Sequence, residues 1–430
     1  MSTNIPTPQG PTSLRALRAL RREHSMLAAL AVFNHELGDI FRFTLPGFKP
    51  VMLVGPEAAR LVLVSSRHDL RWRNDADPVT LLLRHGVLVE DGDEHDRLRR
   101  TMNPALHKQM LSDYTAAMVR CADQVIRQWQ DGKTCDMLVE MRRAALLILM
   151  ETLFRVDFSP ELDRLWSAIL RTLQFISPGM WILWPGIPRP GYAQALRQVD
   201  EYLYQIIRLR RLRLGETADL LGLLIASGMD DDLIRDQLLT MLIAGHDTST
   251  ALLSWALYLL GQHPAAMAEA RQEVDDVLGR EAPALEHTGD LRYLGQVIDE
   301  TLRLYPPIHL GSRVAAADLQ FQGYTIPAGT RVMYSIYLTH RQPAYWDEPV
   351  TFRPERFAPG QARPQPYTYL PFGGGPRNCV GAAFAQVETK IVLARILQQV
   401  ELLALPRPVY AHMGATLEPR PGVLMQVRRR

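Results

Sequence analysis

The sequence predicts a mainly α-helical protein with a small β portion, and three observations carry that expectation. From Asp113 to Gly279 the apolar residues recur mostly at helical spacing, with turn signals near Asp157–Pro160 and Pro185–Gly191. Inside that stretch Asp232–Gln262 is the longest continuous helical segment, and it is apolar nearly all round, as a helix is when it runs through a core. From Gly311 to Pro354 the pattern breaks into short β-like pieces, such as Leu319–Tyr324 and Arg331–Tyr337, separated by Pro, Gly and Asp. Helical spacing returns after Gly381.

At the amino end the first dozen residues are rich in Pro, Ser, Thr and Gly, so 1–12 are expected to be frayed or disordered. A membrane-spanning helix takes about 20 predominantly apolar residues. Arg15, Arg18, Arg21 and Arg22 interrupt Ser13–Leu30, and no other stretch qualifies. The amino end also lacks the charged start, apolar run and small-residue cleavage site of a secretory leader. A soluble, cytoplasmic protein is expected.

The 430 residues leave the domain count open between one large unit and two or three average ones. A net charge of +2 argues against nucleic acid as a partner, because phosphate binding concentrates positive charge. Of the 48 basic residues only Lys49, Lys108, Lys133 and Lys390 are lysine, a bias of genome composition and not of function. Cys121, Cys135 and Cys379 are too few and too scattered for a disulfide framework, which suits a reducing compartment.

The chemistry starts at Phe372-Gly373-Gly374-Gly375-Pro376-Arg377-Asn378-Cys379-Val380-Gly381, a cysteine in a glycine-rich loop that runs into an apolar helical pattern. Free N–H groups at the start of that helix, with Arg377 two residues away, would favour the thiolate and so a metal ligand. The glycines would let a large flat cofactor lie against the backbone. A buried, inert cysteine is the ordinary alternative. However, the segment fits F-x-x-G-x-R-x-C-x-G at every fixed position, and average residue usage makes a chance match about one in ten thousand or rarer.

This segment resembles the haem-binding loop of the cytochrome P-450 superfamily, and Ala385 and Glu388 extend the match into the next helix. The resemblance implies a P-450 fold that takes in 13–430 as a single domain, with haem held between the long central helix and the cysteine-loop helix. It also implies that Cys379 is the fifth ligand of the iron of haem b, with Phe372 packed near the sulfur side and Gly381 at the helix start.

Ala244-Gly245-His246-Asp247-Thr248-Ser249 lies inside the long apolar segment, where glycine and small polar residues cost stability. A threonine can bond back to the carbonyl four residues earlier, here Ala244, and open the helix. A simple kink would account for that much. The residues also match the family's A-G-x-D/E-T-T/S signature, in which Ala244 and Gly245 border a dioxygen groove, Asp247 relays protons and Thr248 positions water. Cleaving an O–O bond heterolytically needs such protons. His246 is expected to face neighbouring packing and is given no role.

Glu300 and Arg303 share a helix face three residues apart, and Phe352-Arg353-Pro354-Glu355-Arg356-Phe357 follows. The resemblance turns Glu300, Arg303 and Arg356 into a buried network that fixes the cysteine loop. It makes His95, Arg99, Arg313 and Arg377 the partners of the two haem propionates, whose burial without cations would be costly. Substrate contacts are expected from Leu82, Val87, Trp181, Trp184, Ile243, Ala244, Ile308 and Leu310, with Leu81 beside them. This mostly apolar set implies a lipophilic substrate, whether fatty acid, terpene or polyketide-like. Arg84, His85 and His309 are weaker candidates for reading a carboxylate or hydroxyl.

The resulting expectation is a monooxygenase that puts one atom of O2 into a lipophilic small molecule by hydroxylation or epoxidation. No flavin or iron–sulfur module accompanies the domain. Electrons are therefore expected from NAD(P)H through a separate ferredoxin or flavodoxin and its reductase, docked on a basic face including Arg97, Arg100 and Lys108. A peroxide-driven peroxygenase is an alternative, though such relatives typically lack the acid–alcohol pair. A non-enzymatic haem sensor is the other, and it would have little need of Thr248.

Overall fold

The computed structural model describes residues 4–179, 187, 189–213 and 219–430. Helices dominate, and the two that pack on each other at the centre are buried on nearly every side: Met137–Leu153, and the long segment that begins at Asp231. That long segment is not one uniform helix. It is α-helical over Asp231–Met241, widens into a π turn over Leu242–His246, and is α-helical again over Asp247–Gln262. Widened turns of this kind recur at functional sites, because they re-aim side chains without ending the helix.

The β portion is small but larger than the sequence pattern indicated. A five-stranded sheet runs in the order Ile40–Arg42, Val51–Val54, Arg331–Ser335, Leu310–Ala315, Leu70–Arg71. Val51–Val54 is parallel to Arg331–Ser335, and the other pairs are antiparallel. All four residues of Val51–Val54 are buried, so this strand ties the first part of the chain to residues some 280 positions later. Leu319–Phe321 and Tyr324–Ile326 form a separate hairpin. The carboxyl end adds a three-stranded antiparallel sheet in which Leu424–Arg429 lies between Thr134–Asp136 and Val400–Ala404, and a hairpin of Tyr410–Met413 with Leu417–Arg420. These strands of two to six residues carry too few alternations to register as period-two patterns, which is why the sequence missed them.

Over residues 4–12 the amino end is ordered and differs from the expectation of a frayed 1–12, whose first three residues lie outside the described ones. Ile5 is buried, the carbonyl of Pro6 accepts from Arg42 N at 2.8 Å, and a helix starts at Gly10 with Thr12 already buried. The chain turns at His24, in the left-handed region, and Ser25 caps the helix Met26–Leu37 by accepting from Leu27 N. A polar composition concealed a segment that uses its one isoleucine to anchor against the five-stranded sheet's core. Among the described residues no helix is long and apolar enough to cross a membrane.

Trp255 locks the far half of the long helix in place. Its ring stacks on Tyr305 with centroids 3.7 Å apart, and its indole N–H donates to the carbonyl of Leu417 at 2.8 Å. Trp255→Ala should cost about 3–5 kcal/mol through the cavity and the lost bond, read as a lower urea midpoint. Trp255→Phe should retain most of that loss.

Candidate functional site

Cys379 is presented by a loop that cannot relax. Gly373 and Gly375 have φ of +70° and +65°, and a Cβ on Gly375 would collide with the carbonyl of Leu63, so the loop lies directly against the Leu61–Ser65 turn. The backbone N–H of Cys379 donates to Phe372 O at 2.8 Å, and the helix Ala382–Gln399 starts three residues on. The residue is exposed, yet burial of its surroundings pushes the thiol pKa up, against smaller favourable effects of the Gly381 N–H and the Arg99 guanidinium. Both facts fit a sulfur on the wall of an enclosed cleft. Arg377 is not the cation that faces it. Arg99 is, held by a bond from its Nη2 to Asn378 Oδ1 at 2.8 Å.

Arg377 turns instead to Asp91, at 2.6 Å, and to the carbonyls of Leu88 and Glu90. Burial pushes its pKa down to about 10, with the charges of Arg313 and Arg67 contributing. His95 is buried and bonded to Asp96 at 2.8 Å; burial, then Arg377, lowers its pKa. Arg313 is buried over the Trp72 ring, bonds the Ser312 carbonyl at 2.7 Å, and forms no ion pair among the described residues. The four expected propionate partners, three arginines and His95, are thus brought together from a helix, a strand and a loop. A buried guanidinium without a carboxylate is costly, so this cluster fits a ligand that brings its own negative charge.

On the other wall, Ala244 is exposed and Thr248 half-buried, although Leu242, Ile243, His246, Asp247 and Ser249 around them are buried. Thr248 Oγ1 donates to Ala244 O at 2.6 Å, as expected. That bond alone is not distinctive, because Thr240, Thr250 and Ser254 make the same back-bond along this helix. What sets Thr248 apart is that it opens on the cleft while the other three are buried. Gly245 also has a packing use: a Cβ there would stand 2.6 Å from Leu149, so the glycine lets the helix Met137–Leu153 close in. His246 is fully buried with its ring nitrogens unpartnered, and burial brings its pKa down to about 3. Asp247 also faces away from Thr248. Its oxygens meet Thr416 Oγ1 at 2.8 Å and Arg142 Nη2 at 3.4 Å.

The two walls are joined by one bond that the sequence did not single out. Ser249 Oγ donates to Glu388 Oε2 at 2.6 Å, and burial pushes the Glu388 carboxyl up to about 8. Among the described residues, no group of three or more His, Cys, Asp or Glu is placed to hold a metal ion. An iron bound through Cys379 would therefore have to bring its other donors with it, as haem does.

The expected structural network is present. Glu300 accepts from Arg303 Nε at 2.7 Å and Nη2 at 2.8 Å, from Arg356 Nε at 3.0 Å and from Arg353 N at 2.9 Å. Arg303 Nη1 also donates to the carbonyls of His340 and Pro349. His340, missed in the sequence, connects this network to the cysteine loop. Its Nε2 accepts from Leu370 N at 2.7 Å while Nδ1 faces Arg303 O at 3.2 Å, and burial holds it neutral with a pKa near about 3.

The substrate expectations divide. Leu82 is fully buried in the core, and its carbonyl accepts from Arg235, so it does not line a cleft; Leu81 is the exposed leucine of the helix Pro78–Leu83. Ile243 is buried, Val87 and Leu310 are half-buried, and Ile308 is exposed. Trp181 and Trp184 lie outside the described residues. Arg84 and His85 are already engaged, with Asp236 and Glu90 respectively, and His309 is buried against the Pro307 carbonyl. Arg97, Arg100 and Lys108 are all exposed, and Arg97 is paired with the half-exposed Glu94.

An exposed cysteine thiol on a rigid loop, arginines gathered near it, and a central helix opened at Ala244 and Thr248 and bonded to the helix after the cysteine together fit a haem-thiolate monooxygenase. The chain belongs to the cytochrome P-450 family, whose sequence profile matches residues 6–424. It is 31% identical to cyclooctat-9-en-7-ol 5-monooxygenase of Streptomyces melanosporofaciens over 90% of this chain and 86% of that one. Cyclooctatin synthase of the same organism is 30% identical, covering 96% of this chain and 91% of its own length. Among solved structures, the retinoic acid-bound cyanobacterial CYP120A1 superposes with a TM-score of 0.86 at 25% identity, over 99% of both chains. The family implies a haem cofactor, dioxygen and a redox partner.

Arg303→Met should be severely destabilising, about 3–5 kcal/mol, because it removes one of the two guanidiniums paired with the fully buried Glu300 and strips the bonds to three backbone carbonyls. The loss should appear in the urea midpoint and as reduced haem retention.

Proposed function

We propose that the protein is a soluble, cytoplasmic monooxygenase whose residues 13–430 act as one haem-binding domain and whose substrate is a lipophilic, terpene-like small molecule. The observation that carries this reading is the cleft face of the long helix, where Ala244 and Thr248 are open in the middle of an otherwise buried segment. Bound haem b would supply dioxygen activation, its iron held by Cys379, with Phe372 and Gly381 in the same loop. Arg99, Arg313, Arg377 and His95 would hold the propionates, Arg377 with the donors left over from Asp91 and the carbonyls of Leu88 and Glu90. Thr248 would hold a water by hydrogen bonding, and Asp247, once protonated from solvent and turned from Thr416, would pass its proton through the Thr248 hydroxyl to that water. Ala244 leaves room for the reacting molecule.

Support for the substrate class comes from the apolar candidates Val87, Ile308 and Leu310, and from two relatives named for cyclooctat-9-en-7-ol and cyclooctatin chemistry. The cysteine-side surface, with Arg100 and Lys108 exposed, suits an acidic ferredoxin or flavodoxin that carries electrons from NAD(P)H by way of a reductase.

Dithionite-reduced protein exposed to carbon monoxide should show a Soret band strongly red-shifted from that of histidine-ligated haem, and Cys379→Ser should abolish the shift. A histidine-like band in native protein would overturn the ligand assignment. Thr248→Ala should retain that band while diverting electrons to hydrogen peroxide, by roughly tenfold or more on the scale of a lost proton donor. Unchanged coupling would remove Thr248 from the mechanism.

A further inference from the structure

Asp247 sits in a buried charge cluster that the reaction as described does not use. Arg142, from the helix Met137–Leu153, reaches Asp247 Oδ1 with Nη2 at 3.4 Å and makes a much closer contact, through the same nitrogen, with Glu418 Oε1. Glu418 comes from the strand Leu417–Arg420, and its other oxygen accepts from Arg420 Nη2 at 2.9 Å. Asp247, Arg142 and Glu418 have side-chain exposures of 5%, 10% and 8%, and only Arg420, at 43%, opens to solvent. The remaining neighbours are Thr416, which donates to Asp247, and His412, which pairs with Glu418 across the hairpin. His246, on the same helix, is neutral and unpartnered.

Two carboxylates therefore compete for one buried guanidinium, and the distances show Glu418 winning. A carboxylate left with a long contact to arginine and one hydroxyl is poorly compensated, and binding a proton relieves it. The Asp247 carboxyl is correspondingly raised to about 6, by burial first and by the Glu418 charge second. Without Glu418, Arg142 could close on Asp247 as a full ion pair, which would keep it ionised and docked away from Thr248.

We propose that Glu418 is a positioning residue for proton delivery: by holding Arg142, it leaves Asp247 able to take up a proton near neutral pH and to turn toward Thr248. This inference rests on the role given to Asp247 above. The line Arg420–Glu418–Arg142 then connects the site electrostatically to the surface, through residues from a helix and a terminal hairpin that no motif joins.

The test is a pH titration of the haem-loaded enzyme by infrared difference spectroscopy, following the carbonyl stretch of a protonated carboxylic acid assigned by its loss in Asp247→Asn. The native midpoint should lie near about 6. Glu418→Gln removes the neighbouring negative charge and should lower it by about one unit or more. Glu418→Asp should restore it. Arg420→Gln, a change at the exposed end of the series, strengthens the grip of Glu418 on Arg142 and should raise the midpoint, so the proposal is testable even if Glu418→Gln fails to fold. Midpoints that do not move, or that move the same way in Glu418→Gln and Arg420→Gln, would overturn it. Unaltered coupling in Asp247→Asn would instead overturn the assignment of Asp247 itself, whatever the titration shows.

Discussion

The geometry of the site depends on an ion pair that has no contact with water. Glu300 and Arg303 are both fully buried, and desolvating two such charges costs several kcal/mol each before any interaction is counted. The cost is offset because the hydrogen-bonding capacity is used: Glu300 receives bonds from Arg303, Arg356 and the backbone of Arg353, and Arg303 spends its remaining donors on the carbonyls of His340, Pro349 and Thr351. An apolar pair of similar volume could stabilise as much. It could not fix two separate stretches of backbone, at His340 and over 349–353, at hydrogen-bond distances, and the first leads through His340 and Leu370 into the cysteine loop. The pair therefore sets position more than it adds stability.

A similar exchange of stability for geometry runs along the long helix. Leucine and alanine at 244–249 would make a better helix, but a side chain at Gly245 would force Leu149 away, and a π turn without Thr248 would present no hydroxyl to the cleft. Ser249 and Glu388 then tie this weakened stretch to the helix that follows the cysteine. The two helices are thereby kept in register by a short bond next to Thr248 and in the first half of the helix that follows the cysteine, and not by the distant ends of either helix.

The parts of the site that were legible in the sequence are those in which chemistry fixes residue type and spacing within one short segment. Cys379 with its glycines, Thr248 with Ala244, and Glu300 with Arg303 are of this kind. Arg142, Glu418 and His340 are not: each is a common residue in an undistinguished segment and acquires its role only when distant elements pack together. Leu82 and Leu81 show the same limit at finer scale, because a helix of six residues has no periodicity that says which leucine turns inward. Arg377 failed for an electrostatic reason. Its neighbour in sequence is the cysteine, but Asp91 offers a carboxylate, and a buried guanidinium follows charge before sequence proximity.

That preference bears on how the domain holds its cofactor. His95, Arg99, Arg313 and Arg377 are contributed by a helix, a strand and a loop, and they repel one another: Arg377 and Arg99 lower the pKa of His95, and Arg313 lowers that of Arg377. Asp91 and Asp96 answer part of this charge, and Arg313 has no ion pair among the described residues. In the proposed reading, the propionates answer the rest. A ligand that binds only the folded arrangement stabilises it by mass action, so haem would then be a structural component of this chain as well as its reactive group. The residues that gain most from it would be the cations that the fold otherwise brings together at a cost.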